Sequence, residues 1–257
     1  MNLNLNEKII IVTGGAKGIG EAIVKALASE NAIPVIVGRK EEDNLKMLEI
    51  INNKGFQVVA ELTKPDECEN AIKKIVTKFN RIDGLVNNAG VNDGVGLEKG
   101  NYEQFVASLH KNLIHYYLMA HHALPYLKKS KGAIVNIGSK TAETGQGNTS
   151  AYAASNGGRN ALTREWAVEL LPYSIRVNAV IVAECYTPLY NTWIKTFDHP
   201  EEKLKSITEK IPFEKRMTTS EEIANMVVFL LSDRSSHTTG QLIHVDGGYV
   251  HLDRAIG

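Results

Sequence analysis

Cysteine is nearly absent: Cys68 and Cys185 are the only two in 257 residues. Two thiols outside any motif make neither a disulfide framework nor a zinc set, so the small stapled folds are excluded and no metal site is expected. No charge is in excess either. Lys+Arg and Asp+Glu number 29 each, and no basic run is longer than the pair Lys128-Lys129. Nothing therefore draws the chain to nucleic acid or to anionic lipid. No apolar run approaches the roughly 18 residues of a membrane helix. The stretch Met1 to Asn6 lacks the basic and apolar regions of a secretory signal. A cytoplasmic protein is the expectation. Repeats, low-complexity segments and linkers are also missing, which predicts one domain over 1–257 with a sizeable core.

What is present is an alternation of short apolar runs and amphipathic segments. The runs predict strands over 9–12, 33–37, 56–60, 84–87, 133–137, 175–181 and 241–245. Between them the spacing predicts helices over 18–30, 41–54, 63–79, 101–127, 150–171 and within 188–209. Pro125 is expected to end the fourth of these. Thr219-Ser220-Glu221-Glu222 reads as a capping box opening a further helix that ends near Ser232. The strands are apolar on both faces, as in a parallel sheet covered on both sides. The expected fold is α/β: a single-domain, doubly wound, Rossmann-type seven-stranded parallel sheet with helices on both faces. The irregular stretch at about 188–212 is expected to cover a substrate, because such insertions lie over the carboxyl ends of the strands.

Thr13-Gly14-Gly15-Ala16-Lys17-Gly18-Ile19-Gly20 joins the first strand to the first helix. Glycines there let main chain approach a pyrophosphate at a helix N-terminus. At the end of the second strand, an acidic residue would bind the adenosine ribose of NAD. The chain has Gly38-Arg39-Lys40 instead. Arg39 offers a planar fork to a 2′-phosphate, with Lys17 in support, so NADP is expected over NAD.

These motifs, with others downstream, resemble the short-chain dehydrogenases/reductases across the whole chain. Asn87-Asn88-Ala89-Gly90 resembles the family's N-N-A-G, and Asp246-Gly247-Gly248 its closing motif. Asn112 falls where the family has an asparagine of its proton relay. Ser139 falls where its serine binds the substrate oxygen, and Tyr152, 13 residues on, where its tyrosine exchanges the hydroxyl proton. The resemblance implies catalytic roles for Ser139, Tyr152, Asn112 and position 156. It implies a cofactor held by Gly14, Ala16, Lys17, Gly18, Ile19, Gly20, Arg39, Leu62, Asn88, Ala89, Gly90, Tyr152, Asn156 and Thr187. It also implies a homotetramer.

Position 156 departs from the pattern, which has lysine four residues after the tyrosine. A phenol has a pKa of about 10 and is a poor base at neutral pH. A cation one helical turn away favours the phenolate. Asn156 can still hydrogen-bond a nicotinamide ribose hydroxyl but carries no charge. Three arrangements remain open: the nicotinamide's own charge suffices, Lys140 or Arg159 substitutes, or the catalyst is impaired. Arg159 sits roughly 10 Å along the helix axis from Tyr152 and must reach back.

Longer stretches, including Asn88 to Gly96, Asn112 to Tyr117, Gly145 to Ser150, Leu162 to Ala167, Thr187 to Tyr190 and Gly248 to Arg254, resemble the L-fucose dehydrogenase subgroup. That resemblance implies oxidation of an aldose to a lactone; the alternative is a carbonyl reductase of another small substrate. The loops expected at the substrate are polar: Asn92, Asp93, Glu143, Gln146, Asn148, Glu184 and Tyr190. A sugar or polyol needs such donors and acceptors. His115, His121 and His122 fall on one helix, where His115 and His122 share a face at i, i+7 with no third ligand evident, so packing and interface roles rather than metal binding are expected.

Overall fold

The structure, a computed structural model, describes residues 2–252, so Asp253 and Arg254 of the tail motif lie outside the described residues. Seven strands, β1 (Ile9–Thr13), β2 (Ile33–Gly38), β3 (Phe56–Val59), β4 (Gly84–Asn87), β5 (Ala133–Ser139), β6 (Arg176–Val182) and β7 (Leu242–Val245), form one sheet. The order is β3-β2-β1-β4-β5-β6-β7, and every pairing is parallel. Ile11 pairs with Val35 on one side and Leu85 on the other. The winding reverses between β1 and β4, which opens a crevice at their carboxyl ends.

The helices are α1 (Gly18–Ser29), α2 (Glu41–Ile50), α3 (Pro65–Phe79), α4 (Tyr102–Leu109), α5 (His115–Ser130), α6 (Ser150–Glu169), α7 (Pro188–Ile194), α8 (Pro200–Thr208) and α9 (Ser220–Leu231). On one face of the sheet, Ile23 and Leu27 of α1 and Val227 and Leu230 of α9 bury against Val12, Val86 and Val135. On the other, Ile72 and Ile75 of α3, Tyr116 and Met119 of α5 and Trp166 of α6 bury against Ile11, Leu85 and Ile134. The apolar runs of the inner strands are thus explained, since β1, β4 and β5 are covered by helices on both faces, whereas the edge strands β3 and β7 are only partly buried. The predicted capping box is formed: Thr219 Oγ1 accepts from Glu222 N at 3.2 Å, and Glu222 Oε2 accepts from Thr219 N at 2.8 Å.

Three elements differ from expectation. Pro125 does not end its helix; α5 continues to Ser130 and closes on Lys131 in the left-handed conformation, φ 53. Pro125 and His121, whose carbonyl loses its helical donor, are both exposed, so water can satisfy that oxygen and the proline is tolerated. The same predicted helix is divided by a π turn over His110–Ile114, which buries Asn112 completely. The second helix stops at Ile50 rather than 54, where Asn52 and Asn53 both take positive φ, a conformation asparagine tolerates better than most residues. The 188–212 stretch holds α7 and α8. Thr187 caps α7 by accepting from Tyr190 N at 3.2 Å.

Candidate active site

A cleft of about 860 Å³ runs over the carboxyl ends of β1, β4 and β5. Main chain dominates its β1 side. A Cβ at Gly20 would lie 2.1 Å from the carbonyl oxygen of Gly14, so only glycine lets the turn close onto the start of α1. That closure leaves the N-terminal N–H groups of α1 open to the cleft, a cradle that fits a pyrophosphate. Gly14, Lys17, Gly18 and Ile19 line it, whereas Ala16 and Gly20 stand behind. The turn after β4 is locked to this loop. Thr13 Oγ1 accepts from Asn88 N (2.8 Å) and Ala89 N (3.0 Å), and Asn88 Nδ2 donates to Thr13 O at 2.9 Å. Thr13 heads the glycine motif in the sequence, and only the fold shows it as the brace between the two turns. Further along, Arg39, Leu62 and Thr187 line the cleft. Both rim cations are in ion pairs: Lys17 with Asp43 at 2.6 Å, Arg39 with Glu61 at 3.5 Å.

On the β5 side the cleft is lined by Ser139 at the end of that strand and by Tyr152 and Arg159 of α6. Ser139 Oγ accepts from Thr141 Oγ1 at 3.1 Å. Asn112 does not line the cleft. Its side chain is fully engaged: Oδ1 accepts from Val91 N at 2.7 Å, and Nδ2 donates to Ser108 O at 3.0 Å. Asn156 is also buried behind the surface, with Nδ2 donating to Tyr152 O at 2.9 Å.

The inner face of α6 carries Ser155, Asn156, Arg159, Asn160 and Thr163, all buried. A chain of polar contacts ties this face to the sheet. Asn87 Nδ2 donates to Asn136 Oδ1 (3.0 Å), Asn136 Nδ2 to Thr163 Oγ1 (3.0 Å), and Thr163 Oγ1 to Arg159 O (2.8 Å). The stripe is visible in the sequence at helical spacing. Asn156 and Arg159 stand out in the sequence by their motif register, but periodicity alone does not tell a solvated polar face from a buried one, so the burial of the whole stripe is not legible there. Beside it, His115 is buried and held down to about 4, first by desolvation and then by the charge of Arg159. Burial pushes the Tyr116 phenol up to about 12, against the pull of the same guanidinium.

The expected substrate residues separate into groups. Asn92 and Tyr190 line the cleft with Asp93. Gln146 and Asn148 lie on the exposed loop before α6. Glu184 stands behind the cleft wall, paired with Lys140, whose ammonium lies 4.1 Å over the Tyr249 ring. Tyr190 buries its hydroxyl beside Glu184; desolvation first and that carboxylate second push the phenol upward. Glu143 is taken up elsewhere. Its Oε1 accepts from Asn160 at 3.3 Å and its Oε2 meets His244 Nε2 at 3.0 Å. With His251 this makes a Glu-His-His group whose ligand atoms lie within 4.8 Å of one another. No metal is expected from the sequence, and this convergence is not legible there, because Glu143 lies 101 residues from His244 and joins the two C-terminal histidines only in the fold.

Comparison with known proteins agrees with this architecture. The family described as enoyl-(acyl carrier protein) reductase matches residues 14–250. The 3-oxoacyl-[acyl-carrier-protein] reductase FabG of Thermotoga maritima is 36% identical over 96% of this chain and all of its own length. An L-fucose dehydrogenase of Rattus norvegicus is 31% identical over 94% of this chain and 88% of its own. The crystal structure of Cj0485 dehydrogenase superposes with a TM-score of 0.95 at 46% identity, covering 99% of this chain and 98% of the other. The chain belongs to the short-chain dehydrogenase/reductase family and is an NAD(P)-dependent oxidoreductase acting on CH-OH or carbonyl groups.

Proposed function

We propose that this enzyme moves a hydride between NADP(H) and a sugar or related polyol, oxidising an aldose at its anomeric carbon to the lactone. The observation that carries the substrate class is the polar lining that Asn92 and Asp93 add to the cleft that also holds Tyr152 and Ser139. Hydroxyl-bearing substrates need such groups at the wall of their site. The likeness to an L-fucose dehydrogenase points the same way. Bound nicotinamide dinucleotide supplies the hydride acceptor. Ser139 donates to the anomeric oxygen. Tyr152, as phenolate, takes its proton while the anomeric C–H electron pair departs as hydride and the C–O bond becomes C=O. The proton then leaves Tyr152 for solvent.

Preference for NADP rests on Arg39 and Lys17 at the adenosine end of the cleft. Their present partners, Glu61 and Asp43, hold them in rim pairs whose cations are largely exposed and solvent-screened, so the pairs yield readily to a phosphate. Half or more of each of Tyr117, Val168 and Leu171 is exposed on or just beyond α5 and α6, which supports burial of these helices in a homotetramer. Two free, buried thiols, Cys68 and Cys185, suit a reducing cytoplasm.

A second reading, reduction of another small carbonyl compound, is favoured by the likeness to the Thermotoga reductase. Turnover of an aldose panel with NADP and NAD, set beside reduction of small ketones, tests both. Aldose oxidation faster with NADP is expected. Ketone reduction without aldose oxidation would transfer the conclusion to the second reading.

A further inference from the structure

Position 156 carries no charge, yet a guanidinium lies within the same polar face. Arg159 is 3% exposed. Its Nε donates to the main-chain oxygen of Asn112 at 2.6 Å, and its Nη1 to Ile137 O at 3.1 Å and Asn156 Oδ1 at 3.0 Å. All three acceptors are neutral, so they orient the charge without cancelling it. The arginine does not need an unusual reach. Helix side chains lean toward the N-terminus, and Arg159 does so, setting Cζ 6.0 Å from the centre of the Tyr152 ring. The remaining nitrogen, Nη2, is buried and has no hydrogen-bond partner among the described residues. It faces Gly90, where a Cβ would come within 2.9 Å of it. Gly90, Tyr152 and Arg159 all line the cleft. A buried charged donor left unpaired is costly, and here it lies just behind Gly90, on a residue that lines the cleft. The asparagine at 156 thus acts as the anchor of Arg159, with one oxygen on Nη1 and its own Nδ2 on Tyr152 O.

We infer that Arg159, held by Asn156, supplies both functions of the missing lysine: the positive charge beside the Tyr152 phenol and a donor, Nη2, to a hydroxyl of the nicotinamide ribose. The inference rests on the proposed dinucleotide-linked reaction. Tyr152 is the catalytic residue; toward it Arg159 is a positioning residue. The field of the guanidinium is already visible in His115 and Tyr116 on α5. The other ionisable groups around the cleft do not replace it. Lys111 is paired with Asp93, and Lys140 with Glu184 under Tyr249. Tyr190 on α7 is buried beside Glu184, and the rim cations Lys17 and Arg39 sit at the adenosine end in their own pairs.

The test compares wild type, Arg159→Met, Arg159→Lys and the double variant Asn156→Lys/Arg159→Met. Binding of NADPH is measured against ADP, which lacks the nicotinamide ribose, and the pH profile of kcat/KM is recorded for aldose oxidation. Arg159→Met is expected to weaken NADPH about tenfold while leaving ADP unchanged, and to move the rising limb up by about 1–2 pH units. Arg159→Lys should retain part of both properties, and lysine at 156 in the Met background should restore both. An equal loss for NADPH and ADP, no loss for either, or an unmoved limb would overturn the inference. Should Arg159→Met lose its near-ultraviolet circular dichroism, Arg159→Gln, which keeps amide donors without the charge, decides by the same readings. Should wild type turn over no aldose, the sugar reading alone fails, and the NADPH-to-ADP comparison still decides the role of Arg159.

Discussion

On the β1 side of the cleft the wall is a glycine turn closed onto the start of α1; on the α6 side it is side chains held by other side chains. The first half is shaped by glycine spacing and by a few braces such as Thr13 and Asn88. The second depends on charges placed in poorly solvated surroundings: Arg159 among three neutral acceptors, and Lys140 against Glu184 under Tyr249. A main-chain site is generic, binding phosphate wherever a helix N-terminus is left open. A side-chain site is specific but expensive, because each buried charge needs its partners. The loop therefore keeps the family pattern, while the catalytic face departs from it at 156 and compensates three residues later.

The sharpest way to separate the halves is Tyr152→Phe. It should lower turnover about 10²–10⁴-fold and weaken NADPH far less, by no more than one hydrogen bond, in a fluorescence titration. Intact turnover would show that the tyrosine-centred chemistry is wrong. Next is Lys140→Met. Removing one member of a pair whose side chains are only 9% and 12% exposed strands Glu184, and should cost about 3–5 kcal/mol of stability in urea unfolding. A loss below about 1 kcal/mol would mean that water already solvates the pair.

The third expectation concerns pH. His115 has a folded pKa of about 4 against an ordinary value near 6.5. Above pH 6.5 both states are neutral and stability is complete. Below it the unfolded chain takes a proton that the folded chain refuses, so stability falls until about pH 4, by about 3 kcal/mol. Urea midpoints between pH 7 and 4.5 should show the decline, and His115→Gln should flatten it. An unchanged slope would place the acid sensitivity elsewhere. The smallest effect expected is on the β1 side: Arg39→Ala should weaken NADPH about tenfold and leave NADH alone. Equal affinities before and after would remove Arg39 from cofactor choice.

Most of the fold was legible because the signals are local. Fully apolar runs such as Ile9 to Val12 mark strands buried on both faces, and the Thr219-to-Glu222 box marks a helix start. The misreadings were those where the environment overrode a local rule. Pro125 is tolerated because its solvent face satisfies the freed carbonyl, and the π turn at His110–Ile114 has no residue signature of its own. In the site, Ser139, Tyr152 and the glycine loop could be recognised from spacing. Glu143 illustrates the limit. A polar loop residue expected at the substrate has its carboxylate held by Asn160 and His244, and β7 is far away in sequence.

The sequence by itself determined the layered sheet, the glycine turn and the place of Tyr152 at the cleft, because periodicity, glycine spacing and motif registers act over a few residues. It also showed that a charge was missing at 156. Only the tertiary structure decided where the nearest charge stands. Whether Lys140 or Arg159 lies beside Tyr152 depends on which carboxylate, carbonyl or ring each meets across the fold. Glu184 and Tyr249 hold one, and Asn112, Ile137 and Asn156 hold the other. Partners that far apart along the chain are brought together by packing, and electrostatic interactions at a few ångströms depend on that packing.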